Sequence, residues 1–126
     1  MTLPTQARLE AAPIFLTTLA EAKSFLEQVD SESAPRRYTQ LQGQLREMVK
    51  ILQWSPASGH PARFMDASSA QARLRTQSVL GLAKQVGLPM LREYILDQYV
   101  VLYAHDETHV VLLAIKHQRQ LAYQAS

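Results

Sequence analysis

Between Tyr38 and Leu52 the side chains Tyr38, Leu41, Leu45, Met48, Val49 and Leu52 recur at a spacing that lays one stripe along a helix. Pro35 stands just ahead of it at a first-turn position, where its missing N–H is no loss. The pattern predicts a helix from Pro35 to Trp54. An earlier stripe, Leu19, Ala22, Leu26 and Val29, has the same period, and Thr18-Leu19-Ala20-Glu21 has the form of a capping box. These predict a helix from Thr18 to Val29. Asp30 to Ser33 is short and polar, so the two helices should form an antiparallel hairpin. Pro13-Ile14-Phe15-Leu16 is an apolar run of strand length, and the polar residues 1–11 before it read as a flexible start.

Ser55 to Pro61 holds two prolines and a glycine and reads as a loop. Asp66 to Ser69 offers caps for a third helix carrying Leu74, Val79, Leu82, Ala83 and Val86, with Gly87 and Pro89 as its stop. From Leu91 the residue types change to tyrosine, isoleucine, valine and leucine. Leu91–Leu96 and Tyr99–Ala104 are predicted strands joined at Asp97-Gln98, and Asp106-Glu107 turns the chain into Val110–Ile115. That last run is apolar on both faces, which places it inside a sheet with the helical hairpin over one side. The expected fold is α+β: an N-terminal strand and an antiparallel helical hairpin packed on a three-stranded antiparallel meander, with an inserted third helix.

Composition narrows the class. The chain has 126 residues, 47% of them hydrophobic, enough for one core and too few for two ordinary ones. It has no cysteine, so neither disulfides nor a zinc ribbon hold it. No leader-like start and no run of roughly 20 apolar residues occurs, and the expected location is the cytoplasm, with no membrane partner. A formal net charge of +2 is weak evidence for nucleic acid. Arg36, Arg37, Arg46, Arg63, Arg73, Arg75 and Arg92 are scattered, as on a solvated surface.

The densest polar set follows the last strand. Lys116, His117 and Arg119, with Tyr123 four residues on, gather two cations, an imidazole and a phenol. Such a set can hold a phosphate backbone and protonate or stack on a nucleotide; a plain solvated strand end has the same composition. His105 and His109 flank a turn without guaranteed convergence on a metal, and His60 has no partner at ligand spacing. Trp54 closes the second helix as a core or partner-facing residue. No phosphate loop, nucleophile elbow or metalloprotease motif is present, and no metal or cofactor is expected.

The span LREYILDQYVVLYAHDETHVVLLAIKHQRQLAY resembles the C-terminal half of the RelE/ParE superfamily of bacterial toxins from type II toxin–antitoxin systems, often described as plasmid-stabilisation proteins. Arg92, Val101-Leu102-Tyr103, Asp106-Glu107, Val110 to Ile115, Lys116-His117, Arg119 and Tyr123 fill that pattern in order. With the hairpin and its proline-rich exit, the resemblance spans most of Pro13 to Tyr123. It implies a single toxin domain over 1–126, a cognate antitoxin whose flexible tail folds across it, and no small-molecule substrate. Two features depart from the pattern. Residues 66–89 form an insertion, and Val100 stands where the mRNA-cleaving branch carries arginine, a stabiliser of the phosphate transition state. The wording is closer to the ParE branch, which inhibits DNA gyrase without catalysis. Arg92, Lys116, His117, Arg119 and Tyr123 are then the expected target-binding residues. In a ribosome-dependent endoribonuclease acting on mRNA, Arg119, Tyr123 and His117 would instead be catalytic. A degenerate, non-toxic binding module is the third reading.

Overall fold

Ala12 is extended (φ −65°, ψ 151°) and Pro13 follows it in the first helical turn. A residue ahead of proline is disfavoured in the helical region, whereas proline's own φ suits a helix start. The chain therefore passes from strand to helix at this one bond. In the computed structural model, which describes residues 6–61, 81 and 84–118, strand β1 is Arg8–Ala11 and helix α1 is Pro13–Val29. The apolar run Pro13 to Leu16, expected as a strand, is instead the first turn of α1. The strand lies in the stretch expected to be flexible. Thr18 is not a cap either. The helix starts more than a turn earlier, and its buried residues Phe15, Thr18, Ala22 and Leu26 place Thr18 in the core. Val29, at the end of the expected stripe, is exposed.

Helix α2 is Ala34–Trp54, with Leu41, Met48 and Leu52 buried, as the stripe predicts. In the connection Ser33 Oγ donates to Asp30 Oδ2 at 2.6 Å. That hydrogen bond, with the Ser33 N–H, holds the Asp30 carboxyl below its ordinary value. After α2, Pro56–Ser58 make one 3-10 turn, and β2 is the two residues His60–Pro61, an element the proline-rich segment did not announce. The expected helix over 66–89 lies mostly outside the described residues. Its described end is helical at 84–86 and stops at Gly87, whose φ is 77°, with Gly87 N–H donating to Lys84 O.

The meander is as expected: β3 Met90–Leu96, β4 Tyr99–His105 and β5 His109–His117. The sheet is wider, with order β1-β5-β4-β3-β2 and β1 parallel to β5, so β5 is internal. A bulge leaves Leu113 without a cross-strand partner, since Leu102 pairs Ala114 while Tyr103 pairs Leu112. It resets alternation so that Val110, Leu112 and Ile115 join the core under α1 and α2. Val111, Leu113 and Ala114 meet Leu102 and Ala104 on the opposite face, where Val86, Leu88 and Leu91 pack. The end of the inserted segment thus covers apolar surface on the sheet's outer face.

The β4–β5 turn is held by Asp106, whose Oδ1 accepts from Thr108 N–H and His109 N–H, each at 2.8 Å. The Thr108 N–H is the main reason that its carboxyl titrates below the usual range. The stabilisation is complete above the unfolded pKa of about 3.9 and is lost as pH falls through the lower folded value. Asp106→Asn keeps an acceptor without that ionisation. Its melting temperature should fall less than the wild type's between about pH 5 and 3, as read by thermal unfolding followed by circular dichroism.

Candidate functional site

Three regions of the sheet carry the polar chemistry. At the β2 side, Tyr103 is fully buried. Its hydroxyl donates to Pro56 O at 2.7 Å and accepts from Gly59 N–H at 2.9 Å. Burial pushes the phenol above its ordinary pKa, against the Gly59 hydrogen bond and Arg92, so it is a neutral donor at physiological pH. Arg92, opposite Tyr103 in register, donates through Nη1 to Gly59 O at 3.0 Å and through Nε to His105 Nε2 at 2.9 Å. With Nε2 accepting, the His105 hydrogen sits on Nδ1, which donates to Asp106 O at 2.9 Å. Arg92, expected in the target-binding set, is therefore occupied in fastening the 3-10 turn and β2 to the sheet.

His105 and His109 do not converge. His109 Nε2 lies 2.6 Å from Glu10 Oε1 on β1, away from the Arg92 network. Among the described residues no three potential ligands gather for a metal ion.

At the opposite end of β4 and β5, strand alternation divides the basic segment. Lys116 pairs Val100 and His117 pairs Tyr99, so their side chains leave the sheet on opposite faces. His117 is buried beneath α1, with its ring 5.2 Å from Phe25 and edge-on to Tyr99 at 5.1 Å. Its Nε2 is 3.2 Å from Gln98 Oε1. Lys116 is on the outer face, where burial lowers its ammonium pKa and the Glu93 charge opposes that shift. Val100, in the slot where an arginine was sought, packs beside it against the outer cluster. Arg119 and Tyr123 lie outside the described residues. Of the five candidates, Arg92, Lys116 and His117 thus occupy three separate environments.

Two concave surfaces were not legible in the chain. One is an open groove of about 680 Å³ between α2 and the end of β3, lined by Gly43, Glu47 and Ile51 on one side and Tyr94, Ile95 and Asp97 on the other. Among the described residues β2 pairs only with Arg92 and Glu93, leaving the neighbouring edge of β3 at Tyr94 to Leu96 open. The other is a pocket of about 200 Å³ lined by His60, Pro61, Glu93, Ile95 and Val100. Trp54, closing α2, is 58% exposed and belongs to the surface rather than the core.

A strand leading into a helical hairpin, then an antiparallel meander whose last strand pairs in parallel with the first, is an arrangement with a solved counterpart. A chain of the structure described as "Chromosomal ParDE TA system from P. aeruginosa" superposes with a TM-score of 0.55 over 89% of this chain and 96% of that one, at 13% identity. This chain has the fold of a ParDE-system protein. At that identity the likeness is one of fold, and it takes in the hairpin and the meander together. No family model matches the chain, and no curated protein does. Among the described residues no helix is long and apolar enough to cross a membrane.

Proposed function

We propose that this chain is the toxin of a type II toxin–antitoxin pair, of the ParE kind. It acts in the cytoplasm by binding a cellular target such as DNA gyrase and is neutralised by a cognate antitoxin. The observation that carries this reading is the shared fold with a ParDE-system chain over 89% of the length. Binding rather than catalysis is supported by Val100 in place of an arginine and by His117, withdrawn beneath α1 against Phe25 and Tyr99. Lys116 is the member of the expected target-binding set that the outer face presents, and Arg119 and Tyr123 stay in that set as sequence candidates.

Induced expression without the antitoxin tests the reading. DNA damage with intact mRNA is expected. Cleaved mRNA would point instead to an endoribonuclease, and unimpaired growth to a non-toxic binding module. Arg119→Ala combined with Tyr123→Phe should leave much of the toxicity, whereas a nuclease would lose all of it.

The α2–β3 groove and the open β3 edge suit an antitoxin segment that adds as a strand and buries apolar side chains against Ile51 and Ile95. Ile51 is 42% exposed, so Ile51→Glu should leave the fold intact. Affinity for the product of an adjacent antitoxin-like reading frame should fall by about tenfold, measured by calorimetry. An unchanged affinity would remove the groove from the interface.

A further inference from the structure

His105 has both ring nitrogens committed, and its two partners leave it one protonation state. Arg92 Nε lies 2.9 Å from Nε2 and can only donate, while Asp106 O lies 2.9 Å from Nδ1 and can only accept. The ring is therefore the neutral imidazole with its hydrogen on Nδ1, and it is buried. A second proton, on Nε2, removes the acceptor and sets an imidazolium against the guanidinium.

The groups around the ring decide what then gives way. The Asp106 carboxylate is directed into the β4–β5 turn, where it accepts from Thr108 and His109 N–H. The Tyr103 ring, 5.7 Å from that of His105, has its hydroxyl bonded to Pro56 O and Gly59 N–H. Met90 on β3 and Val110 on β5, the cross-strand partners of His105, are apolar. His109 forms a separate cluster with Arg8 and Glu10 of β1, and His60 of β2 stands opposite Glu93, on the other face of the sheet from Arg92. Arg92, on a long side chain with many rotamers, is the group that moves. Its second bond, from Nη1 to Gly59 O at 3.0 Å, goes with it. Gly59 leads directly into β2, which is two residues long, and Pro61 brings no N–H to the pairing with β3. The attachment of β2 thus leans on Gly59.

We propose that His105 is a proton-operated latch on β2: neutral, it holds Arg92 against Gly59 and so β2 against β3; protonated, it releases both. The hold is present at neutral pH and is lost as pH falls. Among the described residues, release lengthens the open edge of β3 from Tyr94–Leu96 to Arg92–Leu96. The latch is independent of whether the chain is toxic.

The test is NMR of the full chain titrated from about pH 7.5 to about pH 5, the range over which histidines change charge. The His105 ring carbons, the Arg92 Nε–H and the Gly59 amide should titrate with a common midpoint. Protection of the Gly59 amide from exchange, corrected for the intrinsic rate, should fall about tenfold, the worth of a hydrogen bond of this kind. His105→Gln, verified as folded by its melting temperature, supplies an acceptor for Arg92 without a titrating ring, so its Gly59 protection should stay level across the range. A Gly59 amide that does not follow the His105 midpoint, or that loses the same protection in His105→Gln, overturns the latch. So does a His105 ring that gains no proton by about pH 5. Should His105→Gln not fold, the wild-type midpoints decide alone: separate midpoints for His105 and Gly59 overturn the latch.

Discussion

Gly59→Ala should destabilise the protein by about 3 kcal/mol, the upper end for overpacking a filled site. The backbone at Gly59 is ordinary extended chain (φ −76°, ψ 168°), so the effect does not come from backbone strain. An added Cβ would stand 2.7 Å from Glu93 O, 2.7 Å from Tyr103 Oη and 2.9 Å from Tyr103 Cε1. Neither neighbour can yield cheaply. The carbonyl belongs to β3, and the tyrosine ring is fully buried with its hydroxyl bonded on both sides. Moving β2 away would also lengthen the Arg92 bond to Gly59 O. Gly43→Ala is the contrasting change, because its Cβ meets only Arg46 Nη2 at 3.9 Å. In mid-helix it should stabilise by about 0.5–1 kcal/mol. Urea denaturation of the two variants reads both signs, and a Gly59→Ala midpoint equal to the wild type's would show that β2 docks loosely.

The same neighbourhood shows why some elements were readable in the chain and others were not. Helix α2 and the meander declare themselves through periods of 3.6 and 2, because each buries one regular face or a whole strand. Strand β1 has no such signature: Arg8-Leu9-Glu10-Ala11 is mostly exposed and exists because β5 offers a parallel edge. β2 is two residues paired with β3, next to Gly59, which Tyr103 and Arg92 capture from more than 30 positions away, and no local pattern encodes that. Pro13 to Leu16 is too short for its period to separate strand from helix; the deciding signal was Ala12-Pro13, with Phe15, Thr18, Ala22 and Leu26 in phase behind it. Lys116 and His117 look like one cluster when read as neighbours, yet alternation alone puts them on opposite faces. The pocket at His60 and Glu93 joins two distant segments through register, which no linear reading reveals.

Thr18→Val should cost about 2 kcal/mol although it changes neither size nor shape. Thr18 is 1% exposed and its Oγ1 does two things: it donates to Phe15 O at 2.9 Å and accepts from Ile115 N–H at 3.0 Å. The second bond exists because β1 ends too soon. Its pairing with β5 stops at Ala11–Leu112, and Ala12 N–H makes one last bond to Leu112 O before Pro13 turns the chain into α1. Ile115, farther along β5, pairs Val101 of β4 on one side; its N–H, on the side that β1 no longer reaches, takes its partner from the helix. Valine keeps the packing and leaves that buried donor unmet, whereas Thr18→Ser keeps the hydroxyl and should lose about 1 kcal/mol through its missing methyl. The size ranking, serine milder than valine, is the reverse of what packing alone would give. A functional consequence follows from position, since Ile115 is the residue before Lys116 and His117. Releasing its N–H should speed amide exchange at Ile115 beyond the change set by global stability, loosening the strand end that presents Lys116 to the outer face. Equal exchange at Ile115 in both variants, after correction for stability, would assign Thr18 to packing alone.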